Sequence, residues 1–258
     1  MRLKMKIRKI SFVFLSVLMS ALAALSGFMI YREMSARQKE KEDFAELAEL
    51  VRFTPSESSR PDEEPPLTDI KPESVHKRDL MPLFAQNSDC IGWLCIPDTE
   101  INYPVMHTPE IPQKYLRINF YGEYSQSGTP FLDGRCDTGN GNLIVYGHNM
   151  RGGAMFGTLA KYIEKAYMQN HPVIEWETEA SCSEYNVFAA VIVDKYDDWY
   201  GFIDSADNEE FEKQIKSIQS KALYCTEAVP EYGKRLLTLS TCYDLTNDSR
   251  LLIIAVKT

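Results

Sequence analysis

Histidine is scarce in this chain, with four among 258 residues. Any chemistry that needs an imidazole must draw on His76, His107, His148 or His171. Metal-ligand spacing is missing too: Cys90, Cys95, Cys136, Cys182, Cys225 and Cys242 form no doubled Cys-x-x-Cys pattern, which removes the reading of a cysteine-bound metal. Positive charge is in deficit. The net charge is −9, and five cations lie in the first nine residues (Arg2, Lys4, Lys6, Arg8, Lys9), leaving the rest near −14. So acidic a body argues against nucleic acid or a polyanionic wall polymer as the main ligand. No internal repeat is visible, which argues against a repeat array.

What is present begins with residues 10–31, 22 positions without a charge. That is long enough to cross ~30 Å of hydrocarbon as a helix. Residues 1–9 then read as a cytoplasmic basic tail, with the body exported. A cleaved signal peptide is the alternative, with Ala21-Leu22-Ala23 as its cut site, but the apolar run exceeds the usual signal core of ~7–15 residues. Residues 32–75 read as a charged helical stalk followed by a linker. Phe44, Leu47, Leu50 and Val51 form a thin apolar stripe, and Thr54 to Pro72 has a proline-rich, disordered composition. The linker is expected to hold the domain away from a bilayer. Residues 76–258 are the expected catalytic domain. There, the pattern predicts short helices at Lys77–Gln86 and Met155–Ile163, the second burying Phe156, Leu159 and Ile163. A long helix is predicted over Asp207–Ala222, with an Asp207/Glu210 capping box. Strands are expected near Gly92–Ile96, Asn102–Met106, Thr129–Leu132, Asn142–Gly147, Val173–Thr178 and Glu184–Val193, followed by two more. About eight strands with few long helices favour a mostly β fold: a closed eight-stranded barrel with added helices.

Cys242 closes the strand-like run from Arg235, and Arg250 opens the next run, Leu251 to Val256. A thiol and a guanidinium so placed can meet at one rim of a sheet. A thiol needs a proton partner or a positive field to act as a nucleophile. Of the four histidines, His148 follows a strand that ends in Gly147 and precedes a glycine-rich loop, a position suited to chemistry. Read singly, Cys242 is a core thiol, His148 a structural side chain and Arg250 a surface charge or the partner of Asp244 or Asp248. Five other cysteines read mostly as buried thiols, with Cys182 and Cys225 left open as a disulfide.

Taken together, Thr238-Leu239-Ser240-Thr241-Cys242, Tyr146-Gly147-His148-Asn149-Met150 and Arg250 resemble the sortase family, its class B branch in particular. The resemblance covers roughly Asp79 to Thr258. It includes Asn87–Leu94, Ile101–Met106, Gly128–Asp133 and Met155–Leu159, each a loose motif. The helix before the Cys242 strand is similar to that of the class B branch.

The resemblance implies a membrane-anchored cysteine transpeptidase. Cys242 is the expected nucleophile, His148 the general acid and base, and Arg250 the group that steadies the substrate carbonyl. The substrate would be an exported protein with a C-terminal sorting signal of Pro-x-Thr type, cut after Thr. The acceptor would be the amine of a cell-wall peptide precursor. Ser240, Thr241, Tyr200 and Trp199 are candidate substrate contacts. Between Asp194 and Asp207 the aromatics Tyr196, Trp199, Tyr200 and Phe202 either wall a groove or pack the loop. No cofactor, metal or nucleic acid is implied, and no residue stands out as the one that orients His148. Pilus polymerisation is disfavoured because the chain ends without a second apolar span. Two other classes stay open: a tethered thiol hydrolase, and a non-catalytic wall-binding module in which Cys242 is packed.

Overall fold

A computed structural model describes residues 2–52, with side chains from Phe14, and residues 78–137, 139, 141–244 and 248–258. The expected linker, Thr54 to Pro72, lies outside the described residues, as does His76. The chain divides into two compact units, Met1–Glu46 and Leu47–Thr258.

Most of the first unit is helix α1 (Arg2–Leu50), which is continuous through the expected span and stalk. It is the one described helix long and apolar enough to cross a membrane. Phe14, Leu18, Leu22, Leu25 and Phe28 are exposed along it, an apolar surface with no protein partner. Its charged part carries helix-supporting contacts four residues apart, Arg37 with Glu33 and Gln38 with Glu42.

The second unit begins with the last turn of α1, where Leu47 and Val51 are buried. Arg52 and Arg78 form an antiparallel bridge, and the amide of Asp79 donates to the carbonyl of Val51 at 3.0 Å. The described residues on either side of segment 53–77 are therefore hydrogen-bonded to each other. Arg78 is anchored by Glu175 at 3.2 Å and Glu177 at 3.3 Å, the latter fully buried.

Helix α2 (Met81–Gln86) has Pro82 in its first turn and buries Leu83, with Leu80 buried just before it. Then come strands β1 (Cys90–Cys95), β2 (Asn102–Met106), β3 (Phe131–Leu132), β4 (Asn142–Tyr146), β5 (Val173–Thr178), β6 (Cys182–Asp194), β7 (Ala222–Cys225), β8 (Leu236–Asp244) and β9 (Ser249–Lys257). Their order is β5-β1-β2-β3-β4-β8-β9-β6, closed by pairing of β5 with β6. Eight strands thus form the ring. The ninth, β7, pairs with β6 beyond the stretch that β5 occupies. It follows helix α4 (Asn208–Lys221) without a turn, which hid it in the sequence.

Along β8 and β9, alternate residues serve two layers. Leu236, Leu252, Ile254 and Val256 pack with Phe211, Ile215 and Ile218 of α4 and with Trp199 and Phe202. Leu237, Leu239, Leu251, Ile253 and Ala255 fill the other face and are fully buried. The α4 start matches its sequence signal: Asp207 accepts from the Glu210 amide at 2.9 Å, and Glu210 accepts from the Ala206 amide at 2.9 Å.

The helix expected after His148 is instead a 3-10 helix over Gly157–Ile163, followed by α3 (Lys165–Asn170). A period of three buries Phe156, Leu159 and Tyr162 rather than Ile163. The tight geometry starts at Met155, with φ of 53°. Cys182 and Cys225 do not pair, and the six cysteines form no disulfide. Cys225 lies opposite Ala189 on β6, seven residues along the strand from Cys182 and so ~23 Å away at the usual rise.

Candidate active site

Strand topology assembles the site. β4 runs parallel to β8, so the ends of both strands reach the same rim, while β9 is antiparallel to β8 and starts there. Tyr146 is the register partner of Ser240, and Cys242 that of Arg250. Two residues past the last β4–β8 pair, His148 comes level with Cys242. His148, Cys242 and Arg250 accordingly line one cleft of about 450 Å³, together with Pro112, Gln113, Leu116, Tyr146, Lys195, Tyr196, Tyr200, Ser240 and Thr241.

The imidazole is fixed by a backbone group. Its Nε2 lies 2.9 Å from the carbonyl oxygen of Leu116. A carbonyl only accepts, so Nε2 carries the proton, and in the neutral ring Nδ1 holds the lone pair. Burial lowers the His148 pKa below 6.5; the Leu116 carbonyl opposes this shift and the Arg117 charge adds to it. The neutral ring therefore prevails at pH 7. Leu116 ends a short 3-10 turn, Lys114–Leu116. Nothing in its side chain announces this role, which is why the sequence left the orienting group empty.

Asn149 is a second contact the sequence did not reveal. Its Nδ2 donates to the carbonyl of Cys242 at 2.8 Å. The hydroxyl of Thr241 donates to the carbonyl of Gly147 at 2.8 Å. Gly147 itself has no room for a side chain, since a Cβ there would sit 2.6 Å from the Phe156 ring.

Arg250 donates to the carbonyl of Ser249 at 3.1 Å. The carboxylate of Asp248 pairs instead with Lys195 at 2.7 Å. A guanidinium has five donors, so Arg250 retains capacity toward the cleft.

The four candidate contacts divide. Tyr200 lines the cleft, its ring stacked on Tyr146 with centroids 6.1 Å apart and its hydroxyl 2.8 Å from the Ser240 Oγ. Burial pushes its pKa up to about 12, so it stays a neutral phenol. Ser240 and Thr241 also line the cleft, but both hydroxyls have internal partners. Trp199 does not reach it. Its side chain is 1% exposed, sits in the core under α4, and donates through Nε1 to Thr238 at 3.1 Å. Neighbouring aromatics in the turn Asp198–Gly201 point in different directions, so Trp199 packs while Tyr200 faces the cleft. Phe202 joins Trp199 in the core and Tyr196 is exposed on the rim.

Tyr146 donates to Asp133 at 2.8 Å, and Arg135 pairs with the same carboxylate at 2.8 Å while also donating to the Tyr200 carbonyl at 2.7 Å. Asp133 is held below the usual carboxylate range by these donors despite its burial. This network braces the tyrosine wall. Two other thiols are set in the core: burial raises Cys90 to about 12 and Cys136 to about 11, which makes them inert. His171 approaches the Pro97 carbonyl at 3.3 Å, and His107 does not line the cleft.

Residues 94–258 match the sortase domain family model. The chain is 34% identical to sortase B of Listeria monocytogenes over 167 residues, 64% of this chain and 66% of that protein. It is 26% identical to sortase B of Staphylococcus aureus over 189 residues, 71% of this chain and 77% of that protein. Among solved structures, sortase B of Bacillus anthracis in complex with AAEK1 has a TM-score of 0.72 at 26% identity, covering 87% of this chain and 99% of that one. The Staphylococcus aureus sortase B–substrate complex has a TM-score of 0.64 at 26% identity, covering 69% and 83%. The chain belongs to the sortase family, in its class B branch.

Proposed function

We propose that the chain is a cysteine transpeptidase that cleaves a C-terminal sorting signal of Pro-x-Thr type after Thr and joins the Thr carbonyl to a cell-wall peptide amine. The observation that carries this reading is the row His148–Cys242–Arg250 at one open cleft rim. A packed Cys242, as in a non-catalytic module, does not fit a thiol that lines a cleft.

Cys242 Sγ attacks the Thr carbonyl carbon, and its proton passes to the imidazole. The tetrahedral oxyanion is stabilised by Arg250, a fixed cation whose donors form a rigid fork; such a donor is worth roughly 3–4 kcal/mol in acyl transfer. Collapse expels the leaving amine, which takes its proton from His148, and leaves a thioester on Cys242. The incoming amine gives a proton to His148, attacks the thioester carbonyl and releases the thiol. Tyr200, stacked on Tyr146, supplies a flat apolar wall for the proline-bearing signal. The Staphylococcus aureus sortase B–substrate complex supports a substrate as the occupant of such a cleft.

Residues 10–31 of α1 anchor the chain in the cell membrane, with residues 1–9 cytoplasmic and the domain of residues 76–258 outside the cell. The cations before the apolar run support that orientation.

The test incubates the full chain in detergent with a signal peptide and an amine. An amide-linked product with the mass of the upstream fragment plus amine is expected. Free acid alone, at saturating amine, marks a thiol hydrolase and contradicts the transpeptidase.

A further inference from the structure

We propose that Asn149 is a positioning residue that locks the imidazole strand to the nucleophile strand by replacing a missing backbone hydrogen bond. The inference rests on the transpeptidase reading of the same site.

In a parallel pair, the bonds from one strand to its neighbour recur at every second residue. The last one here runs from the Gly147 amide to the Ser240 carbonyl, at 3.1 Å. Continuation would take the amide of residue 149 to the carbonyl of Cys242. The backbone of Asn149 has already turned away, into a bridge with Met155. Its side-chain amide meets that same carbonyl instead, at 2.8 Å. His148 thus sits between two fixed points, with the Thr241–Gly147 contact as a third strap on the same turn. The turn frees the imidazole to leave the ladder and reach Leu116, while the amide keeps it level with the sulfur.

Removing the strap leaves the cleft walls intact, since Tyr200, Lys195 and Gln113 do not depend on it. It loosens the imidazole–thiol geometry, which acts on the chemical step. The charged and titratable groups that share the cleft with His148 or act on it are Cys242, Arg250, Lys195, Asp133, Tyr146, Tyr196, Tyr200 and Arg117. None is altered by Asn149→Ala. Asn149→Asp keeps the shape, removes the donor and adds a negative charge that favours the imidazolium.

The test measures peptide turnover by the full-length variants in detergent and, without any peptide, the pH dependence of Cys242 alkylation by iodoacetamide. With Asn149→Ala, kcat is expected to fall about tenfold to a hundredfold while KM stays within about twofold. Its alkylation curve should lose the His148 inflection and match that of His148→Ala, with the melting temperature nearly unchanged. Asn149→Asp should lose more, with the acid limb of its pH profile moved to higher pH. Unchanged kcat and alkylation, or a rise in KM that accounts for the whole loss, overturns the proposal. Should Asn149→Ala unfold, the isosteric Asn149→Asp carries the same readings. The alkylation curve tests the strap whether or not the chain makes an amide.

Discussion

Cys242 and Arg250 lie directly opposite one another in the β8–β9 antiparallel pair. Their side chains therefore share a face and are close neighbours. Buried pairs such as Leu239–Ile253 and Leu237–Ala255 hold that register, because a slip of one residue would turn every one of them to the wrong face. The thiol and the cation are kept together by the core itself.

Arg250→Ala is expected to lower kcat/KM by about 10²–10³, the loss typical of removing one oxyanion donor. Arg250→Lys should recover little of it, since an ammonium lacks the planar fork. The melting temperature should hardly move, since Arg250 sits at the cleft rim and its side-chain bond among the described residues is to the adjacent Ser249 carbonyl. Steady-state kinetics and thermal melts on both variants check this. A large stability loss would instead mark Arg250 as a structural residue.

The His148 ring is held neutral by burial, with its pKa below the ordinary 6.5. The unfolded chain thus takes up a proton first as pH falls through 6.5, so this group's share of stability is present at neutral pH and is lost on acidification. His107 is shifted the same way by burial and adds to the slope. His148→Ala should flatten, not abolish, the acid fall in melting temperature. An NMR titration of His148 is expected to give a midpoint below 6.5. A midpoint above it would indicate an imidazolium paired with a Cys242 thiolate.

Gly147→Ala drives a methyl into the Phe156 ring, 2.6 Å away. Overpacking of this kind costs about 1–3 kcal/mol, and here it also moves the residue next to His148. Both melting temperature and kcat should fall. Gly201→Ala, where nothing lies within 4 Å, should stay within about 0.5 kcal/mol of the parent.

Arg78 ties the domain's N-terminal edge to Glu175 and Glu177 on β5. Arg78→Ala is expected to destabilise by about 2–3 kcal/mol, less than the full penalty for stranding a buried charge because both carboxylates have other contacts. Replacing residues 54–76 by a short turn should leave activity intact. Since the ends of that segment already meet, the shorter loop should raise stability by about 1 kcal/mol through lower closure entropy. Chemical denaturation measures both. A loss of activity in the shortened chain would support the spacer role.

The sequence exposed those features that are local. β5 was read at its observed bounds because apolar and turn residues delimit it, and α4 because its cap and its stripe of Phe211, Ile215 and Ile218 are contiguous signals. The approach of Cys242 to Arg250 was legible because four residues separate their strands. The approach of His148 was not, since it depends on parallel pairing of β4 with β8 across most of the domain; only the family resemblance joined them. The Leu116 carbonyl is a backbone group and leaves no trace in residue type. Asn149 escaped because its side chain acts where the strand has ended. Trp199 was misread because aromaticity does not tell which side of a turn a ring takes.

The central claim is that Cys242 carries the acyl group. The most direct test mixes the full chain in detergent with a signal peptide and no amine, quenches at low pH and records the intact mass. One adduct equal to the upstream fragment is expected, mapped to Cys242, cleared on adding amine and absent in Cys242→Ala. Amide product formed by Cys242→Ala, or turnover by the parent with no thioester at any time, would contradict the account.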